Sequence, residues 1–168
     1  MDFELSNSLI YAPNARETKL LLKSGADLIY TRKTALIMAD TAEQTKLLHE
    51  AASADGTNAL IAYVNLADER GRTALMNADT AEQTRLLIDA GANVNAKDDV
   101  GQTALMLADT AEQTRLLIEA AGDNALTYIN DRDIYEDTAL DHARNIENKE
   151  KINIILEYLL KKIISFIL

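Results

Sequence analysis

The side chains able to do chemistry in this 168-residue chain are few and scattered. His49 and His142 stand far apart, each among residues with ordinary helical spacing. Acid–base or metal work by either would need partner groups placed around it. Two carboxylate clusters, Asp98-Asp99-Val100-Gly101 and Asp131-Arg132-Asp133-Ile134-Tyr135-Glu136-Asp137, lack the glycine and distal glutamate spacing of a calcium loop. They read as solvated loop tips. Glu43, Glu82 and Glu112 form a third set, one in each of three copies of Ala-Asp-Thr-Ala-Glu-Gln-Thr. A reaction needs one set of groups at one place, so three identical copies argue for a structural joint. No nucleophile–base–orienter set and no phosphate-cradling glycine-rich loop stand in the sequence. With no cysteine, disulfides, thiolate metal sites and a cysteine nucleophile are excluded. The expectation is a protein that is not an enzyme and uses no cofactor and no metal.

The elements that carry these residues follow from the repeated phrase, which occupies 39–45, 78–84 and 108–114. Aligned units begin at Thr34, Thr73 and Thr103. A worn copy precedes them, with Ala12 matching Ala39 and Glu17 matching Gln44. A fifth starts at Thr138 and is three residues longer through its middle. Ala12, Ala39, Ala78, Ala108 and Ala143 therefore lie 27, 39, 30 and 35 residues apart. Such periods mark a solenoid, in which one unit cannot bury its apolar face alone. The units span about 5–30, 31–67, 68–98, 99–132 and 133–168.

Each unit reads as two short helices. Thr103 is a natural N-cap for the first, which places Ala104, Leu105 and Ala108 at helical spacing. Thr110 caps the second while Gln113 reaches back, a capping box repeated at Thr41/Gln44 and Thr80/Gln83, with Asn14/Glu17 in the worn copy. Leu116, Leu117 and Ala120 form the expected core side of the second helix, and Gly91 supplies a left-handed C-cap. Negative charge suits a first helical turn, which accounts for Glu43, Glu82 and Glu112 without chemistry. The two long connections share Asn-Ala-Leu and a Tyr-Val/Ile-Asn ending, over Asn58–Asn65 and Asn124–Asn130, and read as long loops of a duplicated two-unit block.

Apolar residues make up 48% of the chain and charged residues 26%, an ordinary globular balance. Seventeen basic against 27 acidic residues give a net charge of −10. That disfavours nucleic acid and favours a protein partner with a basic face. The N-terminus lacks the pattern of a signal peptide, so a cytoplasmic place is expected, or a periplasmic or secreted one if a signal has been removed. The apolar C-terminus is broken by Lys161 and Lys162 and falls short of the roughly 18–20 residues a membrane span needs. It reads as a buried terminal helix.

With Leu-Leu-Ile-Asp-Ala-Gly-Ala-Asn-Val-Asn-Ala-Lys-Asp-Asp-Val-Gly-Gln-Thr-Ala-Leu-Met-Leu-Ala (86–108) and Glu-Arg-Gly-Arg-Thr-Ala-Leu-Met-Asn-Ala (69–78) in view, the chain resembles the ankyrin repeat family over nearly its whole length. The family pattern is Asp-x-x-Gly-x-Thr-Pro-Leu-His-x-Ala. Here its Pro and His are replaced, and the helix–helix turn is shortened, as in some bacterial members. The resemblance implies an all-α, ankyrin-like helix–turn–helix solenoid of about five repeats, each followed by a hairpin-like finger. It also implies protein binding along the face of finger tips and first helices. Carried over position by position, the binding residues are Lys33 and Met38; Glu69, Arg70, Arg72 and Asn77; Asp99, Val100, Gln102 and Leu107; and Ile134, Tyr135, Asp137 and His142. Tyr135 beside Ile134 is the best single anchor. The function expected first is a non-catalytic protein–protein interaction module, an inhibitor or immunity-type partner of a basic toxin or enzyme. The alternatives are a self-assembling structural protein, homo-oligomeric through the C-terminal helix, and a membrane-peripheral adaptor using that helix.

Overall fold

The computed structural model describes residues 12, 14–23, 36, 39, 41–53 and 57–167; Lys33 and Met38, and the side chain of His49, lie outside them. Among the described residues the structure is helical, with one isolated antiparallel bridge between Ala67 and Thr73. The α-helices are α1 (Ala15–Lys23), α2 (Ala42–Ser53), α3 (Thr57–Val64), α4 (Ala81–Asp89), α5 (Ala104–Leu107), α6 (Ala111–Ala120), α7 (Ala125–Ile129), α8 (Ala139–Asn145) and α9 (Lys149–Ile167). Short 3₁₀ segments cover Ala74–Asn77 and Gly122–Asn124. The chain divides into two compact units, Met1–Asn93 and Val94–Leu168.

The repeated phrase is a joint in atomic detail. Thr80 and Thr110 each accept the backbone N–H of Gln83 and Gln113 at 3.2 Å, and each glutamine carboxamide oxygen accepts the threonine backbone N–H at 3.1 Å. Two of the orphan donors at each helix start are thus satisfied reciprocally. Asn14 caps α1 through Oδ1 and the Glu17 amide, and Thr41 accepts the Gln44 amide at 3.2 Å. The remaining atoms of the glutamine do a second job in the first unit. Gln44 Nε2 donates to the Ala12 carbonyl at 2.9 Å and to Thr18 Oγ1 at 3.4 Å; Gln83 Nε2 donates to the Ala39 carbonyl at 2.9 Å and to Thr45 Oγ1 at 3.4 Å. Thr18, Gln44, Thr45 and Gln83 are all buried. Their polar groups have no water to fall back on, so these bonds fix the spacing of one repeat on the next. Thr84 is likewise buried, its hydroxyl donating to the Thr80 carbonyl at 3.0 Å.

In the first unit α2 packs on α1, α3 and α4, over Leu48, Tyr63, Val64, Leu75 and Leu87. Helix α4 ends in a Schellman motif: Gly91 has φ +89°, its N–H donates to Ile88 O, and Ala92 N–H donates to Leu87 O.

In the second unit α9 packs on α6 and α8, and α5 on α8. The core holds Leu105, Leu117, Ile118, Tyr128, Ile129, Ala143 and Ile155. Ala120, expected on the core side, is exposed; Ile118 and Ala121 are buried instead. The buried stripe runs one residue further round than the apolar letters suggest. The three extra residues of the last repeat extend α8 and close it with a second Schellman motif. There Glu147, at φ +55°, stands where glycine is usual, and Asn148 N–H donates to Ala143 O. Lys151 then takes the joint glutamine's place: its Nζ donates to Met106 O at 2.9 Å and Ala108 O at 2.8 Å.

Both long connections open as helices, which corrects the reading of them as long loops. Helices α3 and α7 each carry a buried tyrosine in their last turn, Tyr63 and Tyr128. The Leu105 N–H donates to Tyr128 Oη at 3.0 Å. Burial pushes both phenols well above their ordinary value, and backbone amides (Leu36 for Tyr63, Leu105 for Tyr128) work against it.

Candidate functional site

The expected binding residues fall around a turn built three times. In each, one aspartate Oδ1 accepts two backbone N–H groups. For Asp68 they are Arg70 and Arg72 (2.8 and 2.9 Å); for Asp98, Val100 and Gln102 (3.1 and 2.8 Å); for Asp133, Tyr135 and Asp137 (2.9 and 3.0 Å). The aspartate N–H and C=O close the loop on the residues four and three further on. The third residue after each aspartate has positive φ: Gly71 at +75°, Gly101 at +80° and Glu136 at +66°. Gly101 is needed twice over, because a Cβ there would also meet the Asp133 backbone at 3.2 Å. The turns of the last two repeats are tied together by Ile134 N–H donating to Val100 O at 3.0 Å.

This frame leaves the differing positions accessible. Glu69, Arg70, Asp99, Ile134 and Tyr135 are exposed, and Arg72, Asn77, Val100, Gln102, Leu107, Asp137 and His142 half-buried. The common positions behind them, Thr73, Ala74 and Leu75 or Thr103, Ala104 and Leu105, are buried. Ile134 and Tyr135 are 62% and 70% exposed side by side at the tip of the last turn. An apolar residue and an aromatic held there by their own backbone hydrogen bonds are pre-organised for contact, which lowers the ordering cost of binding.

Asp133 itself is not a solvated tip residue: its side chain is fully buried. Its second oxygen, Oδ2, lies 2.9 Å from His142 Nε2. Burial would raise this carboxyl, but the bonds from His142 and from the Asp137 and Tyr135 amides outweigh it and hold the group below its ordinary value. Asp133, Asp137 and His142 bring one potential ligand atom each within 4.8 Å of one another, a set missed in sequence because only the turn brings positions 133 and 142 together. Asp68 and Asp98 fold the same turn with no histidine at the equivalent place, so the Asp133 Oδ1 bonds belong to the turn and His142 fastens it to α8. Lys97 Nζ adds an ion pair to Asp131 at 2.9 Å.

The C-terminal helix is partly the buried terminal helix expected, and it leaves apolar surface that a 100° advance per residue could not bury on one side. It is buried only over its first half: Lys151, Ile154 and Ile155 are covered, while Leu156, Leu160, Ile163, Ile164, Phe166 and Ile167 are exposed. Among the described residues α9 continues unbroken to Ile167 without turning back. Among the described residues no helix is long and apolar enough to cross a membrane.

Comparison with protein-family models finds no match, and no curated protein matches the chain.

Proposed function

We propose that this chain is a non-catalytic protein-binding module of ankyrin type, with the turns at 98–102 and 133–137 and the helix starts behind them as the contact surface of the second unit, and the turn at 68–72 with its helix start as contact residues of the first. The observation that carries the reading is the division of labour within each repeat. In the turns and the helix starts behind them, shared positions such as Ala74, Leu75, Thr103, Ala104 and Leu105 are buried, while the differing ones are exposed (Glu69, Arg70, Asp99, Ile134 and Tyr135) or half-buried. A surface of that kind reads a partner while the framework stays fixed. The net charge of −10 supports a partner with a basic face, such as a toxin or enzyme that the module inhibits. The helix–turn–helix joints and the Asp-x-x-Gly-x-Thr turns support an ankyrin-type solenoid as the framework.

The test is capture of a partner by the full chain, compared with the Ile134→Ala/Tyr135→Ala double variant. Both residues are exposed, so the variant should keep its unfolding midpoint and lose a captured basic protein by at least tenfold. Capture that survives the double substitution unchanged would remove these tips from the contact surface.

A further inference from the structure

We propose that the outer face of α9 is a self-association surface whose occupant is the same face of a second copy of this chain. Leu156, Leu160, Ile163 and Ile167 are spaced by four, three and four residues. That is the spacing of a coiled-coil seam. At about 100° per residue these four fall within an arc of about 60° on the helix. Lys151, Ile154 and Ile155, which meet the body of the second unit, centre on the opposite side. Helix α9 therefore carries two apolar faces. One is used within the chain; the other is 44% exposed at Leu156, 57% at Leu160 and Ile163, and 75% at Ile167.

Size and charge identify the occupant. With Ile164 and Phe166 flanking it, the face offers on the order of 600–700 Å² of apolar side chain per copy, inside the roughly 600–1,000 Å² per partner of a stable interface. A seam of one spacing fits another of the same spacing, so the face is complementary to itself. A lipid surface suits it less. Lys161 is drawn back to Glu157 at 2.8 Å and Lys162 lies 5.7 Å from the Tyr158 ring, both on the side away from the seam.

The experiment is the mass of the full chain in solution by light scattering from about 1 to 100 μM, for the wild type and for Leu160→Glu and Ile163→Glu. The wild type should rise from 18.5 kDa to twice that mass with concentration, and added salt should favour the rise by screening repulsion between copies. Each variant should stay monomeric, with at least a tenfold weaker association and an unchanged circular dichroism spectrum and unfolding midpoint. Because residues 160 and 163 lie outside the core, loss of the fold in both variants would itself show that this face is used internally and would overturn the proposal. A wild type that remains at 18.5 kDa throughout would overturn it too, as would variants with undiminished self-association. So would flotation of a monomeric wild type with phosphatidylcholine–phosphatidylserine vesicles, which would assign the face to lipid.

Discussion

Lys151 offers the sharpest physical test of the fold. Burial lowers its pKa from 10.5 to about 8, against the attraction of Asp109. The neutral amine keeps two hydrogens, one for each of the carbonyls of Met106 and Ala108. Since the folded pKa lies below the unfolded one, the folded chain binds fewer protons between pH 8 and 10.5, and stability rises with pH across that window. The contribution is fully present above 10.5 and is lost as pH falls through about 8. At about 1.4 kcal/mol per pKa unit, the gain from pH 7 to pH 10 is on the order of 2 kcal/mol. Tyr63 and Tyr128, raised by burial from 10.0, act the other way as pH nears 10, in the wild type and in any Lys151 variant alike. Urea midpoints measured from pH 7 to 10 should therefore climb for the wild type. For Lys151→Gln, which puts there the side chain found at the Thr41, Thr80 and Thr110 joints, they should show no rise and dip slightly near pH 10. A flat wild-type profile, or an equal slope in the variant, would show that the ammonium is solvated and the reasoning wrong.

Gln83→Ala strands the Ala39 carbonyl and opens one half of the α4 capping box, a loss of about 2–4 kcal/mol readable as a lower urea midpoint; a loss below about 0.5 kcal/mol would refute the joint. Glu136 and Glu147 hold left-handed conformations that glycine adopts without strain, so Glu136→Gly and Glu147→Gly should each raise stability by about 1 kcal/mol in thermal or urea unfolding.

How much of this was legible in the letters depended on how local the cause was. The capping boxes at Thr80 and Thr110 were readable because both partners lie within one helical turn. The left-handed Gly91 was readable for the same reason. The second role of Gln44 and Gln83 was not, since a carboxamide's free N–H₂ points to nothing in its own segment; its acceptors lie 32 and 44 residues away. The long connections misled because their helices, of eight and five residues, are too short to show helical periodicity, and the burial of Tyr63 and Tyr128 is a tertiary feature that the segments do not announce. His142 read as an ordinary helical residue until the turn at Asp133 put a buried carboxylate beside it. The exposed half of α9 was half legible: its composition promised a buried helix, while the 100° advance per residue forbade burying every apolar position at once.

The joint has a consequence for how such a chain can lengthen or shorten. The unit bounded by the Gln44 and Gln83 joints carries one donor, its own Gln44 carboxamide, and one acceptor, the carbonyl of its own Ala39. Adding or removing such a unit changes the number of donors and acceptors equally, so no buried group is newly stranded. Because the seven-residue phrase is repeated without change, unequal crossing-over between its coding stretches would fall at the one place where the protein tolerates it. Repeat number is then a heritable variable that the chemistry of the seam leaves free.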